Sequence, residues 1–211
     1  VALSKDTELM ALKELNNGYT HAENLHVFIH DLLRESSLKT SELNAISISS
    51  GPGSYTGLRI GFSAAKGLAY ALSIPLITID TLQALSATAL NKNKADGIYI
   101  PMMDARRMEV YCAAYTNQLS ETLPSQALVI SEDTIQLFQL NKPLYFFGDG
   151  MPKAKNILET LPQSNFIENI TASASSMIEL AFQKYTMKDF ADIAYSEPNY
   201  LKEFFFTTAK K

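Results

Sequence analysis

The stretch SGPGSYTGLRIG, residues 50–61, carries the densest run of glycine in the chain, between the apolar run Ala45-Ile46-Ser47-Ile48-Ser49 and a helix-like segment. The flanks decide how it is read. Residues 45–49 have the length and alternation of a short strand, Gly57 to Leu72 has helical periodicity, and Pro75-Leu76-Ile77-Thr78-Ile79 reads as the next strand. This is a βαβ unit, and its two strands are expected to be parallel. The glycine stretch is then a strand-to-helix turn, in which Pro52 fixes one backbone angle while Gly51 and Gly53 leave others free.

Outward from this unit the chain alternates strand and helix. Val1–Ser4 and Met10–Leu15 read as a hairpin across the polar Lys5-Asp6-Thr7-Glu8. Thr20 and Glu23 form a capping-box pattern ahead of a helix over residues 20–35, with Leu25, Phe28, Ile29 and Leu32 on one face. Asp80 or Thr81 caps a third helix through Ala89. Beyond it, Asn91–Gly97 is the most polar linker and the expected boundary between an N-terminal subdomain, 1–95, and a smaller C-terminal one, 96–211, whose last segment can return to the first. The second part opens with strands at 98–103 and 109–115 around a turn at Asp104–Arg107. Further strands are expected at 127–130 and 144–147, short helices after Ser131 and Pro152, and a longer helix over 173–184.

Composition narrows the function. A chain of 211 residues, 46% hydrophobic and 19% charged, can bury a sizeable core. Its net charge of −4 gives no basic footprint for independent nucleic-acid binding. The single cysteine, Cys112, excludes an intrachain disulfide and a cysteine-pair metal site. No stretch approaches the roughly 20 apolar residues that span a bilayer, and a cytoplasmic location is expected.

The glycine stretch fails as a phosphate motif of either common kind. A P-loop needs lysine and then serine or threonine directly after its last glycine, where this chain has Leu58 and Arg59. A dinucleotide fingerprint needs two residues between its second and third glycines, where this chain has three. What remains is a weak anion-loop candidate at Gly51, Gly53, Ser54 and Thr56, ahead of a helix N-terminus. Along the helix that follows, Gly57, Gly61, Ala64, Ala65, Leu68 and Leu72 form a side of little bulk, suited to close approach by another helix of this chain or of another subunit.

His26 and His30 lie one helical turn apart and could share a metal ion, which makes a stand-alone metal-dependent hydrolase the alternative function. That reading lacks a third ligand, and Val27 stands where a zincin places its glutamate base. Asp104, Arg106, Arg107 and Glu109 read as an active-site constellation or a salt-bridged hairpin corner, the commoner case. Ser49, Ser50 and Ser54 have no histidine nearby to activate them.

Residues 50–85, SGPGSYTGLRIGFSAAKGLAYALSIPLITIDTLQAL, resemble the signature of the bacterial TsaB (YeaZ) family. HAENL at 21–25, DARRMEVYCAAY at 104–115, FGDG at 147–150 and EPNYLKEF at 197–204 fall where that family has related motifs. The resemblance implies an α/β, actin-like ATPase fold (sugar kinase/Hsp70-like, ribonuclease H-like) of two subdomains with mixed sheets and flanking helices. It implies a non-catalytic partner that dimerises with the paralogue TsaD, in the machinery placing threonylcarbamoyl on N6 of adenosine 37 in tRNAs reading ANN codons.

In TsaD-like chains the segment matching Thr81–Leu85 carries two metal-ligating histidines, which Thr81 and Leu85 replace here, so neither metal nor cofactor is expected. The implied partners are a TsaD-type catalytic subunit and a TsaE-type ATPase acting through the complex. A homodimer is a further possibility, and tRNA is expected only as an indirect partner. The implied interface comprises His21, Leu25, Phe28, Ile29, Leu32, Gly57, Leu58, Gly61, Ala64, Ala65 and Leu68. Family members begin with one more strand, reading roughly ILxIDTST, ahead of the segment matching Val1–Ser4, and the sequence is expected to start short of it.

Overall fold

The computed structural model describes residues 1–15, 21–138 and 142–202, with the backbone alone described at 21–23. Strands β1 (Ala2–Lys5) and β2 (Glu8–Leu12) form the expected antiparallel hairpin. Helix α1 (His21–Glu35) follows. Its expected cap at Thr20 lies outside the described residues.

The βαβ unit forms as its sequence indicates. Strand β3 (Ile46–Gly51) and strand β4 (Leu76–Asp80) pair in parallel, with Ile46 opposite Leu76 and Ser49 opposite Ile79. Helix α2 spans Tyr55–Leu72 and starts two residues earlier than the expected Gly57, because the Ser54 hydroxyl caps it by accepting from Gly57 N at 3.3 Å. It ends at Ser73, which adopts a left-handed conformation.

Helix α3 (Thr81–Lys92) packs against both halves of the molecule. Leu82 meets Ala113 and Tyr115, while Ala84 meets Ile77, Ile79 and Leu180. Leu85 and Ala89 meet Tyr99 and Phe147. A helix apolar on several sides is a buried helix, and this one forms the spine between the sheets.

The second half is a five-stranded mixed sheet in the order β7-β6-β5-β8-β9. Its strands are β5 (Ile98–Asp104), β6 (Glu109–Tyr115), β7 (Glu121–Val129), β8 (Leu144–Phe147) and β9 (Ser164–Ile167). Strand β7 is longer than the expected 127–130, and its extension contains Pro124. An edge strand tolerates proline, since one side of its ladder needs no donor. Strand β9 was not anticipated, because its four residues start with the polar Ser164-Asn165 and show too little alternation to register. Ile100, Met102, Val110, Cys112, Phe138 and Phe146 belong to the core of this half.

Helix α4 spans Met151–Leu158. The expected helix over 173–184 is a 3-10 turn at Ala174–Met177 followed by α5 (Ile178–Met187). Helix α5 packs on β4, and Ala191 bridges to Leu76. The chain after α5 therefore lies against the βαβ unit.

Candidate functional site

The turn after β3 is closed by the chain's own C-terminal segment. Gly51 has φ of +105°, and a Cβ there would lie 2.8 Å from the Asn199 carbonyl oxygen. Asn199 N donates to the Ser50 carbonyl at 2.7 Å. Both the left-handed angle and the crossing backbone require glycine at this position. Of the anion-loop candidates, Gly51 is buried under residue 199, whereas Gly53, Ser54 and Thr56 are exposed. The Ser54 hydroxyl is engaged as the cap of α2.

The serines around this turn have structural partners. Ser49 Oγ lies 2.5 Å from Thr81 Oγ1, and Ser50 Oγ donates to the Ile79 carbonyl at 3.1 Å. These bonds tie β3 to β4 and to the start of α3. Cys112 is fully buried, and burial pushes its thiol up to about 12, which removes the thiolate a nucleophile needs.

The small-residue side of α2 divides between two surroundings. Phe62, Ala65 and Ala69 face inward, with Ala65 only 5% exposed against Ala69 and Leu76. A Cβ on Gly61 would lie 3.0 Å from Ile48 Cδ1, so that glycine lets α2 sit close on β3. On α1, Leu32 is 2% exposed. Of the expected interface positions, Leu32 and Ala65 are thus buried within the chain, and Gly61 both lets α2 sit close on β3 and lines a hollow on the surface. Residues 64 and 65 are about 100° apart around a helix, so they point in different directions.

The outward face is real surface. A groove of about 540 Å³ lies between α1 and α2, lined by His26, Arg59, Ile60, Ser63, Ala64 and Leu68, with Gly67 beside them. A Cβ on Gly67 would meet nothing within 4 Å. A second hollow of about 380 Å³ shares Ile60 with it and includes Leu25, Phe28, Gly57, Leu58 and Gly61. Ile29 is half-buried beside them on α1. The side chain of His21 lies outside those described. Leu25, Phe28, Gly57 and Leu58 therefore line one hollow, and Ala64 and Leu68 line the other. Sequence reasoning missed Ile60, Ser63 and Gly67, although a mid-helix glycine that no turn requires was the available signal.

The metal positions are apolar or occupied by structure. Leu85 is 2% exposed in the cluster with Tyr99 and Phe147, and Thr81 bonds Ser49. The His30 side chain is 73% exposed, and its Nδ1 lies 3.6 Å from Asp31 on the same helix. Among the described residues no group of three or more His, Cys, Asp or Glu side chains comes together to hold a metal ion. His26 thus faces the groove without joining a ligand set.

Asp80 is the half-buried carboxylate at the meeting of the two halves. Its Oδ1 accepts from Leu82 N at 2.7 Å and Gln83 N at 3.0 Å, as the cap of α3. Ser125 Oγ donates to Oδ2 at 3.1 Å, and the Tyr115 hydroxyl donates to Oδ1 at 3.4 Å. Burial holds the carboxyl above its ordinary range, although these donors favour its charged form.

The corner at residues 104–109 is held by ion pairs. Asp104 pairs with Lys153, and Glu109 pairs with Lys202. Lys153 Nζ also donates to the Glu109 carbonyl at 2.6 Å. The lysine beside Asp104 holds its carboxyl below the usual carboxylate range. Asp149 Oδ1 accepts from Asp104 N at 2.9 Å, so the Gly148-Asp149-Gly150 turn supports the corner from beneath.

Comparison with known proteins fits this geometry to a family. The sequence model described as "TsaD: tRNA N6-adenosine threonylcarbamoyltransferase" matches residues 17–207. The tRNA threonylcarbamoyladenosine biosynthesis protein TsaB of Bacillus subtilis is 33% identical over 178 residues, covering 82% of this chain and 76% of the relative. The chain belongs to the TsaB family. The Escherichia coli TsaB protein is 27% identical over 190 residues, covering 86% of this chain and 80% of its own. The solved structure of YeaZ from Pseudomonas aeruginosa superposes with a TM-score of 0.70 at 25% identity, covering 87% of this chain and 86% of that one. The fold is accordingly the actin-like α/β fold of the TsaB family. Thr81 and Leu85, which the resemblance set against a catalytic paralogue's metal ligands, are a hydroxyl bonded to Ser49 and a leucine of the core.

Proposed function

We propose that this chain is the non-catalytic partner subunit of the complex that forms N6-threonylcarbamoyladenosine at position 37 of tRNA. It acts by docking a TsaD-type catalytic subunit and supporting its activity. The observation that carries this reading is the match to TsaB proteins over most of the chain, together with Leu85 in the core where a catalytic paralogue would need a ligand. The face between α1 and α2 is the surface best suited to the docking. It offers the apolar Leu25 and Phe28 on α1, little bulk on α2 at Ala64 and Gly67, and two open hollows that share Ile60.

A TsaE-type ATPase engages the assembled complex in this reading, and the isolated chain uses the same face for a homodimer. The place of action is the cytoplasm. Among the described residues no helix is long and apolar enough to cross a membrane.

Reconstitution tests the proposal. The chain alone forms no modified nucleoside when mixed with tRNA, ATP and threonylcarbamoyl-adenylate precursors. Addition to a TsaD-type subunit and a TsaE-type ATPase raises the yield of threonylcarbamoyladenosine, read by mass spectrometry of tRNA nucleosides. No gain in product over the mixture lacking this chain overturns the reading.

A further inference from the structure

The hairpin corner between β5 and β6 contains two consecutive arginines in an expensive conformation. Arg106 has φ of 71° and Arg107 has φ of 48°. Left-handed angles are cheap for glycine and tolerable for asparagine, and tight hairpin reversals ordinarily use those residues. The reversal is nevertheless well formed, with Ala105 N donating to the Glu109 carbonyl and Glu109 N to the Arg106 carbonyl, both at 3.1 Å. Within the fold little repays the choice of arginine: both side chains are exposed, neither enters an ion pair among the described residues, and Arg106 acts on Asp104 only through its charge.

The neighbouring charges separate these two from the other cations. Lys153 is neutralised by Asp104, and Lys202 by Glu109. The same pairs brace the corner, together with Asp149 beneath Asp104 N. What projects is a tip bearing two exposed guanidinium groups with no ion-pair partner within 4 Å among the described residues, on a chain whose net charge is −4, although Arg106 lies close enough to Asp104 to help lower its pKa. Neither of the two grooves described above includes the tip, and both arginine side chains are exposed. A convex guanidinium pair matches phosphates laid across it, since each planar fork can donate two parallel hydrogen bonds to one phosphate.

We infer that Arg106 and Arg107 form a phosphate-contacting tip that touches the sugar-phosphate backbone of the tRNA while the assembled complex holds it. This rests on the proposed function and revises one part of the expectation from the sequence, since tRNA becomes a direct though minor ligand of this chain. Two phosphate contacts are too few for the isolated chain to bind RNA. Within the complex they add to the partner's affinity and set the salt dependence.

The test uses the full chain bound to the TsaD-type subunit and an unmodified transcript of a tRNA carrying adenosine 37. The double variant Arg106→Asn with Arg107→Gly keeps residues that favour the turn and removes both charges, and Arg106→Lys with Arg107→Lys keeps the charges. The first variant is expected to weaken tRNA binding about tenfold at low salt and to lower the slope of log affinity against log salt by about 1 to 2. The lysine variant keeps most of that slope, and both assemble normally with the catalytic subunit by size-exclusion chromatography. Unchanged tRNA affinity and slope in the first variant overturns the inference alone, provided the wild-type complex modifies tRNA. Loss of assembly with the catalytic subunit instead assigns the tip to an acidic protein surface and also overturns it. A wild-type complex that neither binds nor modifies tRNA removes both the inference and the proposed function.

Discussion

Asp80 has to cap a helix, hold Ser125 of a neighbouring strand and do both out of full contact with water. Burial raises its pKa above the 3.8 of an exposed carboxyl, so the folded protein holds this proton more tightly than the unfolded chain. The stability it contributes is therefore fully present below the unfolded value and is lost as pH rises through the folded one. Asp104 behaves in the opposite way: its pKa is depressed, and its contribution is lost as pH falls. Asp80→Asn keeps a capping oxygen and removes the titration. Its stability relative to the parent is expected to improve as pH rises from 4 towards neutrality, whereas Asp80→Ala costs about 1 kcal/mol through the lost cap. Urea unfolding midpoints measured across that range check both. The sequence narrowed the cap to Asp80 or Thr81, but the contacts with Tyr115 and Ser125 were not legible, because they join residues 35 and 45 positions apart.

Helix α2 shows how one element serves two faces. Its inner side, Phe62, Ala65 and Ala69, packs into the fold, and its outer side, Ala64, Gly67 and Leu68, borders the groove against α1. Periodicity identified a small-residue side yet could not say which edge of it met β3, since that depends on the angle at which the helix sits. The two glycines separate the roles. Gly67→Ala adds a methyl in open space and is expected to stabilise the isolated chain by up to about 1 kcal/mol, whereas Gly61→Ala gains nothing because its methyl presses on Ile48. Ala64→Arg is expected to leave stability within about 0.5 kcal/mol and to weaken assembly with the catalytic subunit at least about tenfold. Thermal melts and a binding titration separate the two effects, and retained assembly in Ala64→Arg excludes this face as the docking surface.

At the scale of the whole molecule, the segment after α5 ties the end of the chain to its βαβ unit. Ala191 N donates to the Leu76 carbonyl at 2.8 Å, and Lys66 Nζ donates to the carbonyls of Ala194 and Ser196, each at 3.0 Å. Tyr200 rests 4.9 Å from the Tyr55 ring and accepts from Arg59 at 3.4 Å, and Lys202 reaches Glu109 in the second half. Most of these bonds are polar and near solvent, so the strap is weakly held compared with the five-stranded sheet. Lys66→Ala removes one cation from two carbonyls and is expected to cost the strap about 1 kcal/mol. Exchange of the Ala191 and Asn199 amides should then quicken about fivefold in hydrogen-exchange mass spectrometry, with amides of β5 and β6 unchanged. Equal acceleration in β5 and β6 shows instead that the strap opens only with the whole fold.

The βαβ unit and the hairpins were determined by the sequence alone, because each rests on local periodicity and on residues a few positions apart, whereas the sequence left the cap of α3 between Asp80 and Thr81 and the structure puts it at Asp80. The absence of a P-loop lysine is equally local. The strand β9, the inward turn of Leu32 and Ala65, and the strap over Gly51 were decided only in the tertiary structure, because each depends on which distant segment covers a given face. The stretch at residues 50–61 shows both sides. Its sequence specified a turn into a helix, while the Asn199 backbone lying against it supplied the reason that one of its glycines cannot be replaced.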